Sequence, residues 1–507
     1  MSGHLFVLRG DLTQLQCSAI LVPCDHNWEL IWEHWSELLP PERFESSPWG
    51  ARLRDGGGSG RIAEVAPSRD RLIRLVVTAD GRDDAQWVAR GVVDAIKTLA
   101  GELSTPGGRF KPLIALPLVG TGAGGFREMR GILIRALLPA LRSAAHDADV
   151  DVALVLRDDR DHAAIQGQRS TEDWPAFSGE ELAIADELGA RAARRELSLF
   201  LGSGVSVPLG LPNWRQLLTE IAGKELTDYS PETAPAIAQR LMREKGPERF
   251  RRHIADRVSS KPGFAPAHLL LSALEVAQTV TTNYDAAYET ALETTIGSDA
   301  FRVLTRQLPQ QPRHWVLKVH GDVRRAETIV ITEDDYARLK AETRSVLSIV
   351  ETLLLTSHLL FVGFSMGDPD FVEAVEEVRK VRALAEDSAD AEIATVLALH
   401  PGAVAPHAGF TTVPMLDGSD DRAAARRLEM FLDRICWATA RQNERAHSYL
   451  LDPDYTDLFI GDPASLHLRD LLAALAKDDV ARGSAGWPHV EKALTALGAR
   501  PRRSLGY

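Results

Sequence analysis

The chain has few cysteines, few aromatic residues and no long apolar segment. Three of its 507 residues are cysteines, too few for a disulfide framework or a four-thiolate zinc site, and we interpret all three as core residues. No apolar run reaches the roughly 18–20 residues that cross a bilayer. The first residues do not form a basic segment followed by an apolar one, so no signal peptide is predicted. We therefore expect a cytoplasmic protein with no membrane span and no metal.

The charge of the chain also excludes a class of partner. The formal net charge is −13, whereas non-specific nucleic-acid binding requires a basic surface, so we expect no direct nucleic-acid binding. The hydrophobic fraction is 45%, and a chain of this length is expected to form two or three domains.

Strands and helices alternate along most of the chain, which predicts an α/β fold with mostly parallel sheets. Predicted strands occupy residues 4–9, 19–23, 71–78, 112–117, 150–156, 197–201, 278–282, 315–319, 359–363, 393–400 and 411–416. Predicted helices occupy residues 84–103, 132–145, 180–194, 215–223, 341–356 and 422–443. The polar residues 158–179 are interpreted as a linker. The predicted domains are 1–175, 176–440 and a mostly helical C-terminal region, 441–507.

The apolar strand at residues 197–201 ends in Gly202, Ser203 and Gly204, with Ser206 close behind. Glycines after a strand allow the backbone to approach a pyrophosphate, and a following helix offers free N–H groups. The third glycine of the dinucleotide fingerprint would fall at Val207, so this segment does not complete that motif.

Three further polar segments follow predicted strands in the same domain: Thr282-Asn283-Tyr284-Asp285, His320-Gly321-Asp322 and Gly363-Phe364-Ser365. Ligands of open α/β sheets bind beyond the carboxyl ends of the strands. We therefore expect the four segments to meet in one crevice.

Residues 181–440 resemble the sirtuin family in a Rossmann-like parallel-sheet domain. Gly202-Ser203-Gly204-Val205-Ser206 is similar to that family's Gly-Ala-Gly-Ile-Ser element, Thr282-Asn283-Tyr284-Asp285 to its Gln-Asn-Ile-Asp, Val319-His320-Gly321 to its catalytic His-Gly, and Gly363-Phe364-Ser365 to its Gly-Thr-Ser. The residues between His320 and Gly363 include no cysteine, unlike the zinc module of protein-deacylating sirtuins. The sequence therefore looks closer to the sirtuin-like domains of bacterial anti-phage effectors.

That resemblance implies NAD⁺ as substrate and its cleavage to nicotinamide and ADP-ribose. Asn283 and His320 are the candidate catalytic residues, because an amide can fix water or ribose hydroxyls and an imidazole can act as a general base. The candidate NAD⁺-binding residues are Gly202, Ser203, Gly204, Ser206, Asp285, Gly363 and Ser365.

Residues 1–160 resemble a macro domain, which implies binding of an ADP-ribose-type nucleotide. The matching positions are Asp11 and a glycine-rich loop containing Gly120, Gly122 and Gly124. Macro domains usually carry Asn-Ala-Ala-Asn where this chain has Pro23-Cys24-Asp25-His26. A structural or partner-docking role for this domain stays open.

The resemblance of residues 181–440 to anti-phage effectors implies that the NAD⁺-cleaving activity is regulated, because unrestrained loss of NAD⁺ would kill the host cell. We expect assembly as a homo-oligomer or with a partner defence protein. Two alternatives to hydrolysis remain at this stage: a protein deacylase or ADP-ribosyltransferase, and a non-catalytic nucleotide sensor.

Overall fold

The computed structural model describes residues 2–39, 61–68, 71–79, 84–105, 108–122, 125–230, 233–260, 262–305, 314–342, 344–364, 378, 392–401, 409–416, 418 and 420–499. Contacts divide the chain into two compact units. The first comprises Met1–Pro106, Lys111–Ser178 and Ala440–Tyr507, and the second comprises Gly107–Phe110 and Gly179–Thr439. The functional boundaries at residues 175 and 440 stay a prediction, whereas by contacts the residues from Ala440 onward belong to the first unit.

The first unit is built on a six-stranded sheet. Its strands are β1 (Leu5–Arg9), β2 (Ala19–Asp25), β3 (Ile62–Ser68), β4 (Arg71–Ala79), β5 (Leu113–Leu116) and β6 (Asp151–Leu156). Their order is β1-β6-β5-β2-β4-β3, and only the β3–β4 pair is antiparallel. The sheet is largely apolar on both faces, as expected for parallel strands covered by helices.

Two long helices, Ala85–Glu102 and Arg130–Asp147, supply much of the core of the first unit. In the first of them Val88, Val92, Ile96 and Leu99 are buried, at the three- and four-residue spacing of one helix face. The Asp84 side chain accepts a hydrogen bond from the backbone N–H of Trp87 at 3.0 Å and caps this helix.

The linker predicted at residues 158–179 is wrong, because a helix, Asp159–Gly167, occupies its first half. Asp158 caps that helix, and its buried Asp161 pairs with Arg130. The hydroxyl of Tyr455, which is fully buried, donates to Asp161 at 2.8 Å. The C-terminal residues therefore complete the core of the first unit, where they form the helices Pro463–Lys477 and Trp487–Ala496.

The second unit holds a seven-stranded sheet. Its strands are β7 (Leu197–Leu201), β8 (Gln278–Thr281), β9 (Phe301–Leu304), β10 (His314–Lys318), β11 (His358–Val362), β12 (Ala394–Ala398) and β13 (Phe410–Pro414). All described pairs are parallel, in the order β13-β12-β11-β7-β8-β10-β9. Among its described residues, the helices of eight residues or more are Gly179–Ala193, Trp214–Ala222, Ala234–Lys245, Pro247–Val258, Pro266–Ala273, Ala287–Ile296, Glu333–Glu342, Arg344–Thr356 and Asp421–Gln442.

The strands of this sheet are added first on one side of β7 and then on the other. From β7 the chain adds β8 and β10 on one side, and it then returns to add β11, β12 and β13 on the other. Such a reversal leaves a crevice at the carboxyl ends of the central strands. The α/β fold with parallel sheets and the helical C-terminal region predicted from the sequence are confirmed. Among the described residues, no helix is both long enough and apolar enough to cross a membrane.

Candidate active site

A cavity of about 910 Å³ opens at the carboxyl ends of the central strands of the second unit. The candidate residues that line it are Ser203, Gly204, Ser206, Asn283, Asp285, His320 and Gly363. Gly202 lies directly behind them, and its carbonyl contacts Asn283. Ser365 lies outside the described residues. The structure thus brings the four polar segments together, while the chemical role of each residue remains a prediction.

The glycines after β7 and β11 allow two loops to pack backbone against backbone. A Cβ atom on Gly204 would lie 2.7 Å from Gly363 Cα, and one on Gly202 would lie 2.5 Å from the Gly363 carbonyl oxygen. The Gly204 N–H donates to that oxygen at 2.9 Å. The sequence suggested a close approach to a ligand as the reason for these glycines, but loop packing alone already requires them.

Asn283 follows β8 and is held in one orientation. Its backbone N–H donates to Thr281 Oγ1 at 3.0 Å, and its side-chain Nδ2 donates to the Gly202 carbonyl at 3.1 Å. Because a carbonyl can only accept, the amide nitrogen must face Gly202 and Oδ1 must point the other way. Asn283 Oδ1 is buried and has no hydrogen-bond partner among the described residues. A buried amide oxygen without a donor costs about 1–3 kcal/mol, so this atom is suited to a donor from a ligand.

His320 lies just beyond β10 and is 5% exposed. Its ring packs edge-on against Tyr336 at 5.5 Å between centroids and lies 6.3 Å from the Trp214 ring. Both aromatic residues also line the cavity. The turn after His320 needs glycine, since Gly321 has φ +88° and a Cβ there would lie 2.2 Å from the Thr328 carbonyl oxygen. The imidazole is therefore fixed in a mostly apolar wall.

A buried hydrogen-bonded chain joins His268, Ser206 and Asp285. His268 Nδ1 accepts the backbone N–H of Ala265 at 3.2 Å, and Nε2 lies 3.4 Å from Ser206 Oγ. Burial lowers the pKa of His268 to about 4, although the charge of Asp285 opposes this shift. The imidazole is therefore neutral near pH 7 with its hydrogen on Nε2, because Nδ1 is an acceptor.

The direction of this chain follows from the proton on His268. His268 Nε2–H donates to Ser206 Oγ, and Ser206 in turn donates to Asp285 Oδ2 at 3.0 Å. The other oxygen of Asp285 accepts the backbone N–H of Ala287 at 3.0 Å. Hydrogen bonds to both of its oxygens thus fix the orientation of the Asp285 carboxylate. Ser206 acts here as a donor to a carboxylate and not as an activated nucleophile.

Lys318, the last residue of β10, is fully buried and supports the loop after β8. Its Nζ lies 2.8 Å from Glu289 Oε1 and 3.4 Å from Asp322 Oδ2. The same ammonium donates to the backbone carbonyls of Tyr284 and Asp285. Burial raises the pKa of Glu289, and the nearby Lys318 charge opposes that rise. The cluster fixes the loop that carries Asn283 to the end of β10, which His320 follows.

Neither His268 nor Lys318 is among the site residues predicted from the sequence. His268 lies 62 residues from Ser206 along the chain, so only the tertiary fold shows that they meet. For Lys318, a lysine that directly follows the apolar run Trp315-Val316-Leu317 was an available signal.

In the first unit, two of the proposed ligand residues line one cavity. Gly120 and Gly122 line a cavity of about 240 Å³ together with Cys24 and Asp25, and Asp11 is not among its described lining residues. Asp11 is paired with Arg157 at 2.6 Å and caps a turn through Thr13. Burial raises the pKa of Asp11, but the hydrogen bond from Arg157 and its other partners leave it below the usual value. Gly124 lies outside the described residues.

Residues 277–402, which include β8, β10 and β11, match the family model of the SIR2-like domain. The predicted resemblance to sirtuins is therefore confirmed over this range.

Among curated proteins, the chain is similar to the NAD(+) hydrolase ThsA of Acinetobacter baumannii, at 27% identity over 40% of this chain and 43% of that protein. It is also similar to the ThsA of Bacillus cereus, at 30% identity over 36% of this chain and 40% of that protein, and to the defense-associated sirtuin 2 of Bacillus subtilis, at 25% identity over 43% and 22%. The chain thus spans about two fifths of the length of the ThsA relatives it matches.

Solved structures similar to part of the chain include a macrodomain of Oceanobacillus iheyensis with ADP bound. It has 16% identity and a TM-score of 0.26, and the match covers 32% of this chain and 88% of that chain.

Proposed function

We propose that the second unit hydrolyses NAD⁺ to nicotinamide and ADP-ribose, as the regulated effector of a defence system against phage. Three relatives support this reading by name, two as NAD(+) hydrolases and one as a defence-associated sirtuin. The observation that carries the proposal is Asn283 Oδ1, a buried acceptor without a described partner in the same cavity as His320.

The bond to be broken joins the nicotinamide nitrogen to C1′ of the ribose. The pair of electrons leaves with nicotinamide, which departs neutral because its nitrogen was already cationic. Positive charge develops on the sugar, as in glycoside cleavage. Water then forms the new bond to C1′ and loses one proton. The products are nicotinamide, ADP-ribose and H⁺.

The residues of the cavity match these requirements. Asn283 Oδ1 accepts a hydrogen bond from the attacking water or a ribose hydroxyl without adding charge. His320 serves as general base for the water or for a ribose hydroxyl. The Asp285 carboxylate, oriented by Ser206, stabilises developing positive charge on the sugar. The tightly packed loops at Gly204 and Gly363 form the surface on which the diphosphate binds.

The proposal extends to regulation. The cavity of the first unit that Gly120 and Gly122 line would take an ADP-ribose-type nucleotide. We further propose cytoplasmic action, where NAD⁺ is available, and control through assembly with further copies or a partner defence protein.

The test is nicotinamide release from NAD⁺ by the purified full chain, with and without ADP-ribose-type nucleotides, and NAD⁺ content in phage-infected cells that express it. Asn283→Ala and His320→Ala should each lower turnover by at least about 100-fold. His253→Ala, at an exposed histidine of the same unit, is the matched control. Inactivity under every condition, infection included, refutes the proposal. O-acyl-ADP-ribose as product would instead indicate a protein deacylase, and ADP-ribosylated protein would indicate an ADP-ribosyltransferase.

A further inference from the structure

His400 and Asp421 form a hydrogen-bonded pair that lines the same cavity, away from Asn283 and His320 along the sheet. His400 follows β12, and Asp421 begins the helix Asp421–Gln442. His400 Nε2 lies 2.9 Å from Asp421 Oδ1. The strands run in the order β12-β11-β7-β8-β10. Because neighbouring strands lie about 4.8 Å apart, the ends of β12 and β10 are separated by about 19 Å.

If NAD⁺ is the substrate, as proposed, its nicotinamide ribose, its diphosphate and its adenosine lie at three successive positions along this distance. Asn283 and His320 lie at β8 and β10, where the nicotinamide ribose must be. The glycine loops of β7 and β11 occupy the middle, opposite the diphosphate. An extended dinucleotide then places its adenosine half over the end of β12, beside His400 and Asp421.

The carboxylate of Asp421 is available at this position. A carboxylate only accepts hydrogen bonds, so His400 Nε2 carries the hydrogen of the pair and holds Asp421 in place. The Asp421 side chain is 39% exposed. It is not used to cap its helix, because Asp420 accepts the backbone N–H groups of Arg422 and Ala423.

We propose that Asp421, oriented by His400, accepts hydrogen bonds from the hydroxyls of the adenosine ribose and excludes a 2′-phosphate. A carboxylate pairs well with the donor hydroxyls of a ribose diol, and it repels a phosphate placed on either oxygen. The site is thereby selective for NAD⁺ over NADP⁺. This inference rests on the proposed function, since it assigns the adenosine end of the same substrate.

The test is calorimetric titration of the full chain with NAD⁺ and with NADP⁺, which requires no turnover. Wild-type protein is expected to bind NAD⁺ at least tenfold more tightly than NADP⁺. Asp421→Asn, which keeps shape and removes charge, is expected to narrow that ratio by about tenfold. Asp420→Asn is the matched control: it removes the same charge one residue earlier, retains a good helix cap and leaves the ratio unchanged.

The outcomes separate the two proposals. Tight NAD⁺ binding with equal NADP⁺ binding by the wild type overturns the selectivity inference and leaves the proposed function intact. The selectivity inference is likewise overturned if Asp421→Asn leaves the ratio of NAD⁺ to NADP⁺ affinity unchanged, or if Asp420→Asn narrows that ratio equally. Both results leave the proposed function intact. If Asp421→Asn does not fold, the wild-type ratio alone decides. Failure of both nucleotides to bind the wild type overturns the proposed function itself.

Discussion

The neutral, buried His268 predicts a specific dependence of stability on pH. Its pKa is about 4 in the folded protein against 6.5 for an ordinary histidine, because burial disfavours the imidazolium. The unfolded chain therefore binds a proton at His268 before the folded protein does. The stability that the neutral imidazole of His268 contributes to the folded protein is complete well above pH 6.5. It is lost progressively as the pH falls toward 4.

The size of the effect follows from these two pKa values. Between pH 7 and pH 5, protonation of the unfolded state at His268 lowers the free energy of unfolding by about 2 kcal/mol. His268→Gln removes the titration, while its amide can still donate to Ser206. The difference in unfolding free energy between wild type and His268→Gln should therefore shift by about 2 kcal/mol over this interval, in favour of the variant at pH 5.

Pulsed hydrogen exchange with mass spectrometry across a urea series is the appropriate assay. It follows peptides of the second unit separately from those of the first, which a single spectroscopic signal of a two-unit chain does not. Comparing the two proteins at each pH cancels the titration of the groups that do not interact with His268. A difference that stays constant from pH 7 to pH 5 would refute a neutral, buried His268.

Three further predictions concern the packing of the site. Gly204→Ala should destabilise the second unit by about 1–3 kcal/mol through overpacking. Gly179→Ala, with nothing within 4 Å of the new Cβ, should leave the stability unchanged, and the urea midpoints of the two variants measure the difference. Lys318→Met should cost about 3–5 kcal/mol, because the buried Glu289 loses its partner at 2.8 Å and retains a contact with Arg324 at 3.5 Å, and adding Glu289→Gln should restore part of the loss in a double-mutant cycle. Tyr284→Phe removes a hydroxyl that donates to a backbone carbonyl at 2.8 Å and should cost about 1 kcal/mol in urea unfolding, and no loss would mean that this bond contributes nothing.

The central strands were predictable because each is a short apolar run that ends in polar or glycine-rich sequence. The prediction of a strand at residues 197–201 matches β7. The edge strands β3 and β9 were missed, because β3 contains Pro67 and β9 has an exposed Arg302. Edge positions tolerate both features, but the sequence alone does not identify an edge.

The site was predictable only where position along a strand determines position in space. Parallel strands bring their carboxyl ends to one edge, so the meeting of Asn283 and His320 in one cavity followed from the topology. The contacts of His268 and the His400–Asp421 pair depend on helix packing and loop paths, which no local pattern encodes. The polar residues 158–179 misled for a similar reason, since the buried residues of their helix include the polar Asp161 and Gln166 beside Ala163, Ala164 and Ile165.

The division of the first unit between the two ends of the chain affects the order in which the protein is made. The ribosome completes residues 179–439 before it reaches Tyr455, whose hydroxyl bonds the buried Asp161. The unit with the candidate active site is therefore translated in full while the first unit still lacks its C-terminal segment. A chain truncated near residue 440 therefore retains residues 179–439 of the second unit and lacks the C-terminal segment of the first.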